Sequence, residues 1–291
     1  MRTEQEMYDL IIGTAKADDR IRAVYMNGSR TNPNVPKDIF QDYDVVYVVT
    51  ENKPFYEGKN WIDVFGERLY MQCPDELDKS VGKDVDFDKC YGWLIQLADG
   101  NRIDLHVEPV RCSNVTDDKL CKILLDKDGI LPTIPEPTDE DYRVKKPTAA
   151  EFCAACNEFW WCLNNVAKGL WREEVPYVID MINHCIRLQI VKILSWKIGF
   201  DTDFTVSVGK SAKHIYKWLE PSVWQRFLAT YSSSDISEIW NSVFIMCDLA
   251  DEFAPKIAEK LRTEYDTVMA KNSRLWLEKV KAMPKNADEI Y

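Results

Sequence analysis

No apolar run in this 291-residue chain approaches the roughly 20 residues a membrane-spanning helix needs, so no membrane partner is expected. Basic charge is also short. Lys and Arg number 37 against 48 Asp and Glu, for a formal net charge of -11 and a pI of about 4.9. Such a surface repels a phosphate backbone and has no basic footprint, which excludes nucleic acid as the expected partner. It favours a polycationic small molecule, although solubility alone can account for an acidic surface. The opening stretch MRTEQEMYDLIIGTAKADD lacks the basic and then apolar regions of a secretory signal and reads as an amphipathic helix. The nine cysteines follow no framework spacing, so reduced thiols in a cytoplasmic protein are expected. Cys153 and Cys156 form a C-x-x-C with Cys162 nearby, but no second Cys or His pair stands at zinc spacing; packing within a helix is the expectation. Internal repeats and low-complexity tracts are absent as well.

Hydrophobic residues make up 46% of the chain, enough for a substantial core. The first half alternates in character. Residues 3–18 carry Met7, Leu10, Ile11 and Thr14 at helical spacing, AVYMN and DVVYVVT read as strands, and ERLYMQC is a third candidate. YGWLIQL and NRIDLHVEPV flank Asp99-Gly100, a favoured hairpin turn. The composition then shifts around Pro132, Pro135, Pro137 and Pro147, in linker fashion. Two domains are expected, 1–137 mixed α/β and 138–291 helical. In the second, Thr148 and Glu151 form a capping box. Further helices are expected from Pro176 to about Gly199, at 221–231, at 235–270 with an interruption near Pro255, and at 272–283.

Asp42 and Asp44 stand out at the start of an apolar strand. Alternate residues of a strand share a face, so the two carboxylates point the same way and repel unless a cation lies between them. A hard ion such as Mg²⁺, held by one or two carboxylates and substrate phosphates, fits that pair. Asp104, on the polar face of NRIDLHVE, is the candidate third ligand and could close a two-metal site. Gly28 and Ser29 follow the first strand, where backbone amides and a hydroxyl can bind phosphate oxygens, and Arg30 adds charge. His106 shares the face of Asp104 and is expected to be a structural, hydrogen-bonded residue. His184 is expected in the core, and His214 is left open between a phosphate role and none.

Strand, Gly28-Ser29, spacer, Asp42-x-Asp44 and a third acidic strand position resemble the nucleotidyltransferase superfamily with the polymerase β-like palm. YMNGSRTNPNVPKDIFQDYDVVYVV, WLIQLADGNRIDLHV, GLWREEVPYVIDMINHCIRLQIVKILSWKIG and FTVSVGKSAKHIYKWL narrow the resemblance to the aminoglycoside 6-adenylyltransferases, over nearly the whole chain. The spacer departs from the wider superfamily, since its two prolines disfavour the helix that often follows Gly-Ser.

The resemblance implies an α+β architecture, a palm domain followed by a helical bundle that closes over nucleotide and drug. It implies transfer of AMP from ATP to a streptomycin hydroxyl, at position 6, with release of pyrophosphate. Asp42, Asp44 and Asp104 would hold Mg²⁺, with Asp104 the candidate general base. Gly28, Ser29, Arg30, Lys210 and Lys213 would contact the nucleotide, the two lysines from one face if their stretch is helical. Trp171, Glu174 and Asp180 would face the drug, whose guanidinium groups call for carboxylates and aromatic rings; Glu173 and Glu174 also suit a helix start. Two other readings stand beside this one: a nucleotidyltransferase for a lincosamide, a protein or an RNA end, and a non-catalytic nucleotide-binding module. Pyrophosphate release with a panel of acceptors separates them.

Overall fold

Along one strand Tyr43, Val45, Tyr47 and Val49 are buried on one side, while Val46 and Val48 join a separate cluster on the other. That two-residue period organises the first half of the chain. The computed structural model describes residues 1–58 and 60–290. It divides into two compact units, Met1–Asp141 and Tyr142–Tyr291.

The first unit opens with α1 (Glu4–Ala17). Thr3 and Glu6 cap each other reciprocally, and Met7, Ile11 and Ala15 are buried at helical spacing. Then come β1 (Ile21–Asn27), β2 (Tyr43–Val49), the short α2 (Lys53–Tyr56), β3 (Arg68–Gln72), α3 (Pro74–Ser80), β4 (Tyr91–Leu97), β5 (Arg102–Pro109) and β6 (Lys122–Asp126). Among the described residues the six strands form one sheet in the order β3-β4-β5-β2-β1-β6. β4 and β5 are the expected hairpin. β2 and β5 run parallel, and the other neighbours are antiparallel. The sheet is therefore mixed, and its parallel pair brings the N-terminal ends of β2 and β5 side by side.

One face of the sheet packs α1 and an aromatic cluster that includes Tyr47, Phe55, Trp61, Phe65 and Trp93. The other face has a smaller apolar patch of Ala23, Tyr25, Val46, Val48, Val115 and Cys121. β6 was not anticipated: its five residues are half-buried or exposed at the sheet edge and show no clear alternation.

The second unit is helical: α4 (Ala149–Arg172), α5 (Val175–Met181), α6 (Arg187–Asp201), α7 (Pro221–Leu228), α8 (Ile236–Leu261) and α9 (Thr267–Ala282). Thr148 and Glu151 cap α4 as expected. The helix expected from Pro176 runs on to Asp201, with one wider π turn at Ile182–Ile186 that single-residue periodicity does not reveal. Two expectations need correction. Pro255 does not break α8. Its ring removes one hydrogen bond, but Phe253, Ala254, Ile257 and Ala258 are all buried in the core and hold both sides in line; the helix ends at left-handed Arg262 instead. The Lys210–Lys213 stretch is a 3-10 turn with Ser211 and Ala212 at positive φ, so the two lysines share no regular helix face.

Candidate active site

β1 delivers the chain to Asn27, which lies opposite Asp44 in the β1–β2 register. Gly28 then turns with φ +79°, and a Cβ built on it would sit 2.0 Å from Asp44 Oδ2. Glycine is required here twice over, by the left-handed backbone and by the carboxylate against it. The loop is held by its own groups. The Thr31 amide donates to Gly28 O at 3.2 Å, the Asn32 amide to Ser29 O at 3.2 Å, and the Gln41 side-chain amide to Ser29 O at 3.2 Å.

The parallel register pairs Asp44 with Asp104. Asp42 stands just before β2, on the same side as Asp44. Each of the three half-buried carboxylates offers an oxygen within 4.8 Å of the others. Burial and then the charges of Asp42 and Asp104 push the Asp44 carboxyl up to about 6. Arg102, two residues before Asp104 on the same strand face, grips Asp104 bidentately, Nε to Oδ1 at 2.8 Å and Nη2 to Oδ2 at 2.7 Å. Its Nε also lies 3.6 Å from Asp42 Oδ2. A protein cation thus rests on two of the three acids. Sequence reading missed Arg102, although its i, i+2 spacing from Asp104 was the available signal.

Arg30 needs correction as a nucleotide contact. Its guanidinium donates to Gln41 O at 2.6 Å and Asp42 O at 3.2 Å, pairs with Glu4 at 3.2 Å, and lies 3.7 Å from the Tyr43 ring centroid. With its side chain only 7% exposed, Arg30 braces the loop and positions Asp42 through the backbone. Further along the acidic face, the His106 ring lies over Gly92, where a Cβ would come within 2.6 Å of it. Glu108, on the same polar face of β5 as Asp104 and His106, accepts from Tyr25 OH at 3.0 Å, and burial pushes its carboxyl up.

The remaining predicted residues belong to the helical unit and are described within it. Lys210 and Lys213 are exposed. His214 packs its ring against Gly209 and buries Nε2 without a hydrogen-bond partner among the described residues. Trp171 is half-buried at the end of α4, its Nε1 buried without a hydrogen-bond partner among the described residues, with the Lys285 ammonium 5.9 Å from its ring. Glu174 occupies the N-cap position of α5 without capping it and lies 3.9 Å from Arg172. The helix carrying Asp180 is apolar on one side only. Val178 and Ile182 are buried, whereas Asp180 is exposed and meets the His184 ring at 2.9 Å. His184 is therefore not a core residue as expected: it shares the solvent side with its partner one turn away.

Comparison with known proteins covers nearly the whole chain. The family model for streptomycin adenylyltransferase matches residues 1–280. An aminoglycoside 6-adenylyltransferase of Bacillus subtilis (strain 168) is 36% identical over 268 residues, covering 91% of this chain and 93% of the relative. One of Campylobacter jejuni is 37% identical over 267 residues, 91% of each chain. One of Staphylococcus aureus is 33% identical over 261 residues, 89% of this chain and 92% of the relative. The crystal structure of an aminoglycoside 6-adenyltransferase from Bacillus subtilis aligns with 97% of this chain and 100% of its own, at 30% identity and a TM-score of 0.48.

Proposed function

Because the chain belongs to the streptomycin adenylyltransferase family of adenylyl-transferring enzymes, we propose that it transfers AMP from ATP to a hydroxyl of streptomycin, position 6, releasing pyrophosphate and conferring resistance. The observation that carries this reading is the convergence of Asp42, Asp44 and Asp104 within 4.8 Å. Three acids at that separation, one pushed up to about 6 by burial and its neighbours, suit a divalent cation, and the guanidinium resting on two of them occupies a cation's place. Asp42, Asp44 and Asp104 would hold Mg²⁺, which when bound neutralises triphosphate charge and lowers the pKa of the attacking hydroxyl.

The chain's own groups do the rest. Gly28 and Ser29 present backbone and a hydroxyl to the phosphates. Asp104 takes the proton of the drug hydroxyl as its oxygen attacks the α-phosphorus and the bond to the β-phosphate oxygen breaks. Arg102, which holds Asp104 through both oxygens, must release it before that step, so that the carboxylate is free to bind the ion and accept the proton. Lys210 and Lys213 are assigned to phosphate contact. Trp171, Glu174 and Asp180 are assigned to the drug, whose two guanidinium groups match exposed carboxylates and an aromatic face. This reading puts the protein in the cytoplasm, where ATP and imported drug meet.

The test is Mg²⁺-dependent pyrophosphate release from ATP with streptomycin, kanamycin and lincomycin as acceptors. Release with streptomycin alone is expected. Release with another acceptor alone would reassign the substrate, and release with none would leave a nucleotide-binding module.

A further inference from the structure

We infer that Glu158, Cys162 and Cys185 form a cation site in the helical unit, separate from the acidic triad and suited to Zn²⁺ or another thiophilic divalent ion. Glu158 and Cys162 lie one turn apart on α4 and share a helix face. Cys185 comes from the π turn within the following helix; such widened turns are frequent at functional sites. The carboxylate oxygen and the two sulfurs all lie within 4.8 Å of one another. The Cys162 thiol donates to Glu158 Oε1 at 3.2 Å.

Zinc holds sulfur at about 2.3 Å and carboxylate oxygen at about 2.1 Å, which puts tetrahedral ligands roughly 3.5–3.8 Å apart. Closing from within 4.8 Å to those separations takes side-chain rotation at exposed Glu158 and at half-buried Cys185, with Cys162 held in the core. Cys162 is buried, Cys185 half-buried and Glu158 open to solvent, so the ion has an entry path and water can fill a fourth position. Two sulfurs select against Mg²⁺, which wants oxygen ligands only.

Binding replaces two S–H bonds by two metal–thiolate bonds, and both protons pass to solvent. The sequence hid the site because its cysteines come from two helical segments; the C-x-x-C that sequence reading considered, Cys153 and Cys156, joins no such cluster among the described residues.

Co²⁺ titration tests the proposal. The untagged, reduced full chain is saturated with Mg²⁺ and titrated anaerobically with Co²⁺, following thiolate-to-cobalt charge-transfer absorption. Oxygen ligands at the acidic triad give no such band, so failure here is separable from failure of the proposed function. One equivalent of Co²⁺ should saturate the band, and Zn²⁺ should bleach it. Cys185→Ser should remove most of the band while circular dichroism stays unchanged. Cys162→Ser should do the same, but as a core substitution it is secondary to Cys185→Ser. Glu158→Gln should keep the band and weaken Co²⁺ binding by about tenfold or more, the usual scale even for an outer partner. Absence of the band in the natural chain overturns the proposal. So does a band undiminished in Cys185→Ser, or one abolished by Cys153→Ser.

Discussion

Gly28 and Asp44 touch so closely that each constrains the other. A methyl at position 28 would meet the Asp44 carboxylate at 2.0 Å with the backbone at φ +79°. Gly28→Ala should therefore displace Asp44 and reduce pyrophosphate release by about 100-fold, the scale of an ångström's misplacement at a reacting centre, with little change in circular dichroism. Near-normal turnover would mean that Asp44 tolerates the shift. Asp44 itself makes the second residue-scale prediction. Its carboxyl rises from 3.8 to about 6 on folding, so between those values the folded chain keeps a proton that the unfolded chain has lost. Stability from this group is then present at low pH, falls as pH rises through the window, and stays reduced above it. In EDTA, Asp44→Asn should melt with the natural chain below about pH 4 and several degrees above it beyond pH 6. Mg²⁺ should raise the melting temperature of the natural chain and not that of the variant. Equal melting at pH 8 in EDTA would show that the acids do not strain the fold.

At the scale of elements, the first helix is tied to the β4–β5 turn. Arg2 donates to Asp99 through Nε at 2.6 Å and through its amide at 3.2 Å, and the Asn101 amide donates to the same carboxylate at 3.0 Å. Burial opposes the charge on Asp99, but these hydrogen bonds outweigh it and hold its carboxyl well below the usual range. Its stabilisation is fully present above the unfolded carboxylate value and is lost gradually as pH falls from there through the much lower folded value. Asp99→Asn should cost on the order of 1 kcal/mol at pH 7, measured by urea unfolding, with a cost that begins to shrink only below pH 3.8 and is still mostly present at pH 3. A cost independent of pH would assign the loss to turn geometry instead. Helix boundaries followed local chemistry where caps set them, as Thr148 with Glu151 shows. They failed where core contacts outvoted a residue, as at Pro255.

At the scale of the whole molecule, each of the two units has its own core, but the acidic excess belongs to the first: Met1–Asp141 carries 29 Asp and Glu against 17 Lys and Arg, Tyr142–Tyr291 only 19 against 20. Under the proposed function that field draws in a cationic acceptor. Raising the salt from 0.01 to 0.15 M shortens the screening length from about 30 to about 8 Å. The kcat/KM for streptomycin should then fall severalfold, chiefly through KM. A rate indifferent to salt would mean that only short-range contacts recruit the drug.

What the sequence determined by itself is what depends on neighbours in the chain. The two-residue period puts Asp42 and Asp44 on one side, a glycine ends β1, capping pairs start helices, and Asp99-Gly100 turns a hairpin. Only the tertiary structure decided that β2 and β5 lie parallel with Asp44 beside Asp104, that Arg30 is used up in bracing a loop while Arg102 covers the acids, that Asp180 and His184 meet solvent, and that Cys185 reaches Cys162. The reason is physical. Periodicity and capping are short-range energies that a few residues fix, whereas strand order, burial and the partner of each charge are settled by packing between residues far apart in the chain, where many small contacts compete and no local pattern records the winner.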